Sequence, residues 1–206
     1  MWEQLLENSS PQDLVSAITI LLAILGTYIA IQAVKQGIRT RQAEAMLQVL
    51  KFASPELLHQ IMPRLYNRYA NGELTTETVR SEMNEYSNLL WRLDRIGVLL
   101  YHNYVPRMVL IDMFPHWPIR MWIIFEEYIR GVRTTRPRFF QFFEYLAYVC
   151  LITHMKKRPY ETLLIGEPAH DTEIQKSFTE THLMRLLQKM KKDLIKLGLY
   201  NKMLDK

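Results

Sequence analysis

The chain has 206 residues, of which 49% are hydrophobic, with 7 glycines and a formal net charge of +5. This length holds about one ordinary domain with a real core plus an additional segment, and the apolar content excludes a disordered protein. The single cysteine, Cys150, excludes an intramolecular disulfide and lies in an apolar run, so we expect it to be buried. Charge alone does not choose among nucleic acid, anionic lipid and acidic protein as partners.

Residues 14–34 form an uncharged apolar run, LVSAITILLAILGTYIAIQAV. About 21 residues at about 1.5 Å rise each cover the roughly 30 Å hydrocarbon core of a bilayer. Residues 1–13 carry Glu3, Glu7 and Asp13 but no Lys or Arg, unlike the basic start of a cleaved signal peptide. We therefore predict a transmembrane helix at 14–34. The alternatives are a signal peptide and a buried helix of a soluble protein.

The charges after this run predict its orientation. Basic residues precede the first acidic residue on this side, namely Lys35, Arg39 and Arg41. Because basic residues beside a span favour the cytoplasmic side, we predict a single-pass protein of the inner (plasma) membrane, with residues 1–13 as a short outside tail and the C-terminal domain cytoplasmic. Apolar residues at steps of three and four predict that the helix continues as a stalk over 35–53. They are Ala43, Met46, Leu47, Leu50 and Ala53.

The spacing of apolar residues over 54–165 predicts a bundle-like helical domain. The predicted fold class is therefore all-α. The pair Ser54-Pro55 is typical of a helix start. From Thr75 or Thr76 to Leu100 the apolar residues alternate at four and three, which indicates one helix packed lengthwise on a neighbour. Gly97 lies in this seam, where it either lets another helix approach closely or is a tolerated weak position, and we favour the close approach.

The later part of this domain is divided by prolines. We predict a short helix over 106–113 and a longer one over 118–130, on which Glu126 and Arg130 stand four residues apart and can pair. The helix after Pro137 is apolar on all sides and should be central, although a second membrane span is the competing interpretation. Its one interior charge is Glu144, and a buried acid needs a partner. The candidate partners in a buried, structural ion pair are Arg92, Arg95 and Arg120.

Residues 166–206 predict a polar loop over 166–172 and a basic amphipathic helix that starts near Glu173. This helix docks on the domain with its lysines in solvent, or else contacts anionic lipid or a protein partner. The candidate contact residues for lipid or a partner are Lys35, Arg39, Arg41, Lys189, Lys191, Lys192 and Lys196. No strand is predicted.

Residues 85–158 carry three distinctive segments: YSNLLWRLDRIGVLLYHNYVP, MFPHWPIRMWIIFEEYI and RPRFFQFFEYLAYV. They resemble a bacterial family classed as a domain of unknown function, number 4760. The resemblance implies one N-terminal span followed by a helical domain. It implies no activity, and no catalytic residue carries over.

The usual motifs for nucleotide, zinc-protease, redox and hydrolase chemistry (GxGxxG, GxxxxGK[ST], HExxH, CxxC and GxSxG) are absent from the sequence. We predict no catalytic, cofactor-binding or metal-binding residue and no cofactor. A minor alternative is a His-Asp phosphohydrolase that uses His170-Asp171 with His154 and Asp193. Nucleic acid is not an expected partner, because the basic clusters lack interleaved exposed aromatics.

The leading hypothesis is a membrane-anchored helical interaction module, an accessory or scaffolding subunit of a membrane complex. Its partners would be the bilayer and another protein, or a second copy of itself. The first alternative is a membrane-tethered enzyme or effector with a site around Glu144, His116 and Arg120. These three side chains should then meet in one cleft. The second alternative is peripheral binding of anionic lipid by the C-terminal helix.

Overall fold

A computed structural model describes residues 11–52, 61–114, 116–157, 163–165 and 176–200. The chain divides into two compact units, Met1–Glu44 and Ala45–Lys206. The first helix, α1 (Pro11–Phe52), runs through the boundary between them. The predicted helix start at Ser54-Pro55 and the predicted polar loop over 166–172 lie outside the described residues.

The first unit consists, as far as it is described, of the long apolar part of α1. The stretch Thr19–Lys51 is one helix of 33 residues with a mean hydropathy of 1.4 in its most apolar window, and none of that window is buried. By length and composition it is a candidate membrane-spanning helix. The prediction that the apolar run continues without a break into a helical stalk is confirmed, because α1 ends only at Phe52.

The second unit is helical. Its described elements, in chain order, are α2 (Met62–Ala70), α3 (Thr76–Ser81), α4 (Met83–Tyr101), α5 (Arg107–Met113), α6 (Trp117–Arg133), α7 (Gln141–Lys157), β1 (Leu163–Ile165), β2 (Lys176–Phe178) and α8 (Glu180–Lys196). The all-α fold class is confirmed, with one pair of three-residue strands added to it.

The C-terminal end of the predicted stalk belongs to the domain core. Ala45 and Val49 are buried there, at 5% and 0% exposure. Leu47 and Leu50, which suggested the apolar face of the stalk, are instead exposed. The same helix therefore begins the second unit with a different face from the one that its apolar spacing indicated.

The helix predicted from Thr75 to Leu100 consists of two helices. Thr75 caps α3, with its hydroxyl accepting from the amide of Thr78 at 3.2 Å. The break falls at Glu82, whose φ of −96° and ψ of 11° are not helical. The side chain of Glu82 accepts from Arg68 on α2 at 2.7 and 3.0 Å and from the Tyr86 hydroxyl at 2.5 Å. These contacts join α2 to the start of α4.

The helix α7 is the centre of the core. Every residue from Phe143 to His154 is buried, including Cys150, as predicted. It packs against α4, α6 and α8. Other helices of the domain cover the apolar surface of α7. This segment is therefore a core helix, and its apolar character does not require a second membrane span.

Gly97 on α4 lets α7 approach closely, and this prediction is confirmed. A Cβ at Gly97 would lie 2.0 Å from the backbone oxygen of Phe142 and 2.5 Å from its carbonyl carbon. Beside it, Asp94 accepts from the backbone amides of Phe142 and Phe143 at 3.0 and 2.9 Å. The same turn of α4 therefore packs closely against the start of α7, through Gly97, and caps its first backbone amides, through Asp94.

The strands β1 and β2 were not predicted. They pair antiparallel, with Leu163 opposite Phe178 and Ile165 opposite Lys176. Because β2 occupies residues 176–178, the last helix begins at Glu180, later than the predicted start near Glu173.

Candidate functional site

The buried carboxylate of Glu144 lies in the first turn of α7 and has no solvent exposure. It forms a charge-assisted hydrogen bond with Arg133, and its other oxygen lies 3.7 Å from a guanidinium nitrogen of Arg130. Both arginines lie in the last turn of α6. The prediction that Glu144 takes part in a buried ion pair therefore has a structural counterpart.

The predicted partners of Glu144 were wrong. Its ion pairs in the described structure do not include Arg92, Arg95 or Arg120; the guanidinium of Arg120 lies 5.4 Å from the ring centre of Tyr66 instead. The physical reason is the connection between α6 and α7. It is short, so the last turn of α6 meets the first turn of α7, and residues 11 positions apart pair.

Arg133 is held by several groups besides Glu144. It donates to the backbone oxygens of Phe139 and Phe140 at 2.8 and 3.0 Å, and its guanidinium lies 5.6 Å from the ring centre of Trp122. Phe140 has a φ of 48°, which is uncommon for a residue other than glycine. Arg133 thus secures the backbone turn that leads into α7.

Arg130 extends these contacts to α8 and toward the surface. It donates to Glu126 at 2.8 Å, as predicted from their spacing, and pairs with Asp193 of α8. Lys189 of α8 donates to the same Glu126 oxygen at 2.7 Å. We call the six residues of this arrangement the ionic network: Glu126, Arg130, Arg133, Glu144, Lys189 and Asp193. It joins α6, α7 and α8.

The charges of the network are paired, but the contact between Arg130 and Glu144, at 3.7 Å, is an ion pair without a hydrogen bond. Burial raises the pKa of Glu144, and Arg133 and Arg130 offset part of that rise. Burial acts to lower the pKa of Arg130, but Asp193 and Glu126 outweigh it, so that its pKa is raised and its charge is retained. Each charged side chain of the network is paired with an opposite charge of the same protein. The network is therefore a structural clamp between helices.

Two surface grooves lie beside the network, and Arg130 lines both. The first has a volume of about 550 Å³, with Ile123, Phe178 and Leu186 among its apolar residues and Glu127, His182 and Arg185 among its polar ones. The second, about 410 Å³, is lined by Arg130, Arg133, Thr134, Pro137, Asp193, Lys196 and Leu197. The charged residues of the network that line these grooves already form ion pairs with one another.

The three side chains of the enzyme hypothesis do not converge. Glu144 meets the C-terminal turn of α6, whereas His116 lies just before the N-terminus of α6, where its ring is 4.9 Å from that of His154. At about 1.5 Å rise per residue, His116 and Arg130 are about 21 Å apart along the helix. The hypothesis loses the geometry that motivated it.

The minor phosphohydrolase alternative finds no support in the described part of the chain. No group of three or more His, Cys, Asp or Glu side chains suited to a metal ion occurs there. Of the residues it would use, His154 is in contact with His116 and Asp193 pairs with Arg130. His170-Asp171 lies outside the described residues.

The predicted contact lysines and arginines fall into two groups. Five are exposed and lie outside the ionic network: Lys35, Arg39, Arg41, Lys192 and Lys196. Two others contact the domain itself, since Lys189 pairs with Glu126 and Lys191 lies 4.8 Å from the ring centre of Tyr200.

Fold and site together define a helical domain, tied by an ionic clamp, that follows one apolar N-terminal helix. The model of the family described as a domain of unknown function (DUF4760) matches residues 14–149, which is more than half of the chain. The chain belongs to this family. The matched region runs from the apolar part of α1 into α7 and includes Glu144. No curated protein and no solved structure shows a significant match to the chain.

Proposed function

We propose that this protein is a single-pass membrane protein whose helical domain lies on the cytoplasmic side of the inner membrane and binds another protein there, as an accessory or scaffolding subunit. The observation that carries this proposal is the apolar part of α1, which is long enough to cross a bilayer and whose most apolar window contains no buried residue. Such a surface needs an apolar environment from outside the chain.

The orientation follows from the charges that come after the span. Lys35, Arg39 and Arg41 are all exposed and precede Glu44, the first acidic residue on that side. Basic residues close to a span favour the cytoplasmic side. The second unit, which follows them in the chain, is then cytoplasmic as well.

Binding of a protein is supported by exposed apolar residues in the connection between α4 and α5 and in the first turn of α5. Tyr104, Met108 and Val109 are 45%, 51% and 44% exposed, although they flank Val105 and Leu110, which are buried. We call these three residues the apolar patch. A group of exposed apolar side chains, with an aromatic one among them, suits an apolar surface on a protein partner.

The experiment is purification of the intact protein from its native cells in mild detergent, with copurifying proteins identified by mass spectrometry. Two controls run beside it: residues 1–53 alone, and the full chain with Tyr104→Ser, Met108→Ser and Val109→Ser. We expect a stoichiometric partner that both controls lose. A lone monomer, a homo-oligomer, or a partner retained by both controls would overturn the proposal.

A further inference from the structure

The helix α8 has one face whose orientation is settled by burial. Leu183, Met190 and Leu194 are buried against the domain. The side turned away from them is exposed. Its residues are Thr181, Met184, Arg185, Gln188, Lys189, Lys192, Ile195 and Lys196. At about 100° per residue these side chains occupy an arc of about 140°.

This arc carries basic and no acidic side chains. The acidic residues of α8 are Glu180, in the first turn, and Asp193, which turns inward to Arg130. Lys189 reaches Glu126. That leaves Arg185, Lys192 and Lys196 exposed, and none of the three forms an ion pair within the described residues.

Two apolar side chains lie at one edge of the same arc. Met184 is 41% exposed and Ile195 is 54% exposed. They are 11 positions apart, so they project from nearly the same side of the helix, about three turns from each other. Exposed apolar residues beside exposed cations are typical of helices that lie in the headgroup region of a membrane.

We propose that this basic face, formed by Met184, Arg185, Lys192, Ile195 and Lys196, docks on anionic phospholipid headgroups of the bilayer that α1 crosses. The inference rests on the proposed membrane anchor. Three cations and two apolar side chains bind a charged surface weakly by themselves, but the anchor makes the contact intramolecular and raises its effective concentration. The contact is therefore reversible and sensitive to ionic strength.

The test places an environment-sensitive fluorophore on the full-length protein at Gln188→Cys and reconstitutes the protein into vesicles. Because the native Cys150 is fully buried, the fluorophore reacts with the added cysteine. One set of vesicles is phosphatidylcholine alone, and the other contains equal parts of phosphatidylcholine and phosphatidylglycerol. We expect a blue-shifted emission, quenched by headgroup-labelled quencher lipid, in the anionic vesicles at low salt and its loss at high salt.

Two variants make the result specific. Arg185→Gln, Lys192→Gln and Lys196→Gln together should abolish the anionic-lipid response. Removal of the same amount of charge elsewhere on the domain should leave it unchanged. The exposed positions for that control are Arg80, Arg95 and Arg136. A probe at Asn88→Cys, which is exposed on α4, should stay in water throughout.

Failure of the docking and failure of the anchor give different results. Flotation of the reconstituted protein with neutral vesicles tests α1 alone. If the protein floats but the Gln188→Cys probe stays in water on anionic vesicles, the docking is refuted and the anchor stands. Binding of an acidic protein or a nucleic acid to this face would not rescue the docking. If the protein does not float after extraction at high pH, both proposals fail.

Discussion

Substitution of Gly97 by alanine should push α4 and α7 apart, because the added methyl group has no space. The new Cβ would lie 2.0 Å from the backbone oxygen of Phe142, where ordinary contacts begin at 3.4 Å. The obstacle is backbone, so it cannot turn away as a side chain would. Overpacking of this kind costs about 1–3 kcal/mol and at times more, and the better helix propensity of alanine returns about 1 kcal/mol. Because the clash is with backbone, the cost lies at the upper end of that range, about 3 kcal/mol, and we expect a net loss of about 2 kcal/mol in the free energy of unfolding.

The assay is denaturant unfolding of the full chain in mild detergent, followed by the fluorescence of the buried Trp117 and Trp122. Gly131 on α6 provides the matched control. It is exposed, and nothing lies within 4 Å of a Cβ placed there. Gly131→Ala should therefore be neutral or stabilising by up to about 1 kcal/mol. A Gly97→Ala protein as stable as the Gly131→Ala protein would refute the close approach of the two helices.

Three further predictions concern polar groups. Glu144→Leu should lower the free energy of unfolding by about 3–5 kcal/mol, because it leaves buried arginine charge unpaired. Glu85→Gln, which removes an exposed ion pair, should cost less than about 1 kcal/mol, and equal losses for these two variants would contradict the clamp. Asp94→Ala should cost about 1–2 kcal/mol through loss of its two bonds to the start of α7, and unchanged stability would count against that role. Hydrogen bonding by Arg68 lowers the pKa of Glu82 from 4.5 to about 2, so its contribution to stability is complete above pH 4.5 and is lost as the pH falls toward 2. Unfolding curves across that pH range should show this loss in the native protein, and Glu82→Gln should reduce it.

Helix positions were predictable where apolar residues recur over several turns. The spacing of four and three in α4 indicated both the helix and the role of Gly97, since a helix seam requires a small residue where backbones meet. The break at Glu82 was not predictable, because no proline or glycine marks it and the contacts with Arg68 and Tyr86 come from distant positions. Likewise β1 and β2 are too short for an alternation of apolar and polar residues to be recognised.

The ionic network was partly visible in the sequence. A lone carboxylate in an apolar helix required a partner, and Glu144 has one. The partner arginine depends on which helix turns lie side by side, and here the short connection between α6 and α7 places the last turn of α6 beside Glu144. Arg133 was the available signal, because it lies close to the connection that brings the two helices together. The role of Asp94 as a cap for another helix has no local sequence signal of this kind.

We propose that α1 crosses the membrane and that the helical domain lies on the cytoplasmic side. The most direct test is labelling of intact cells with a membrane-impermeant maleimide, using Ser9→Cys before the span and Asn88→Cys in the domain. The native Cys150 contributes little background because it is buried. We predict that Ser9→Cys is labelled in intact cells and that Asn88→Cys is labelled only after permeabilisation. Labelling of Asn88→Cys in intact cells, or recovery of the protein in the soluble fraction, would contradict this topology.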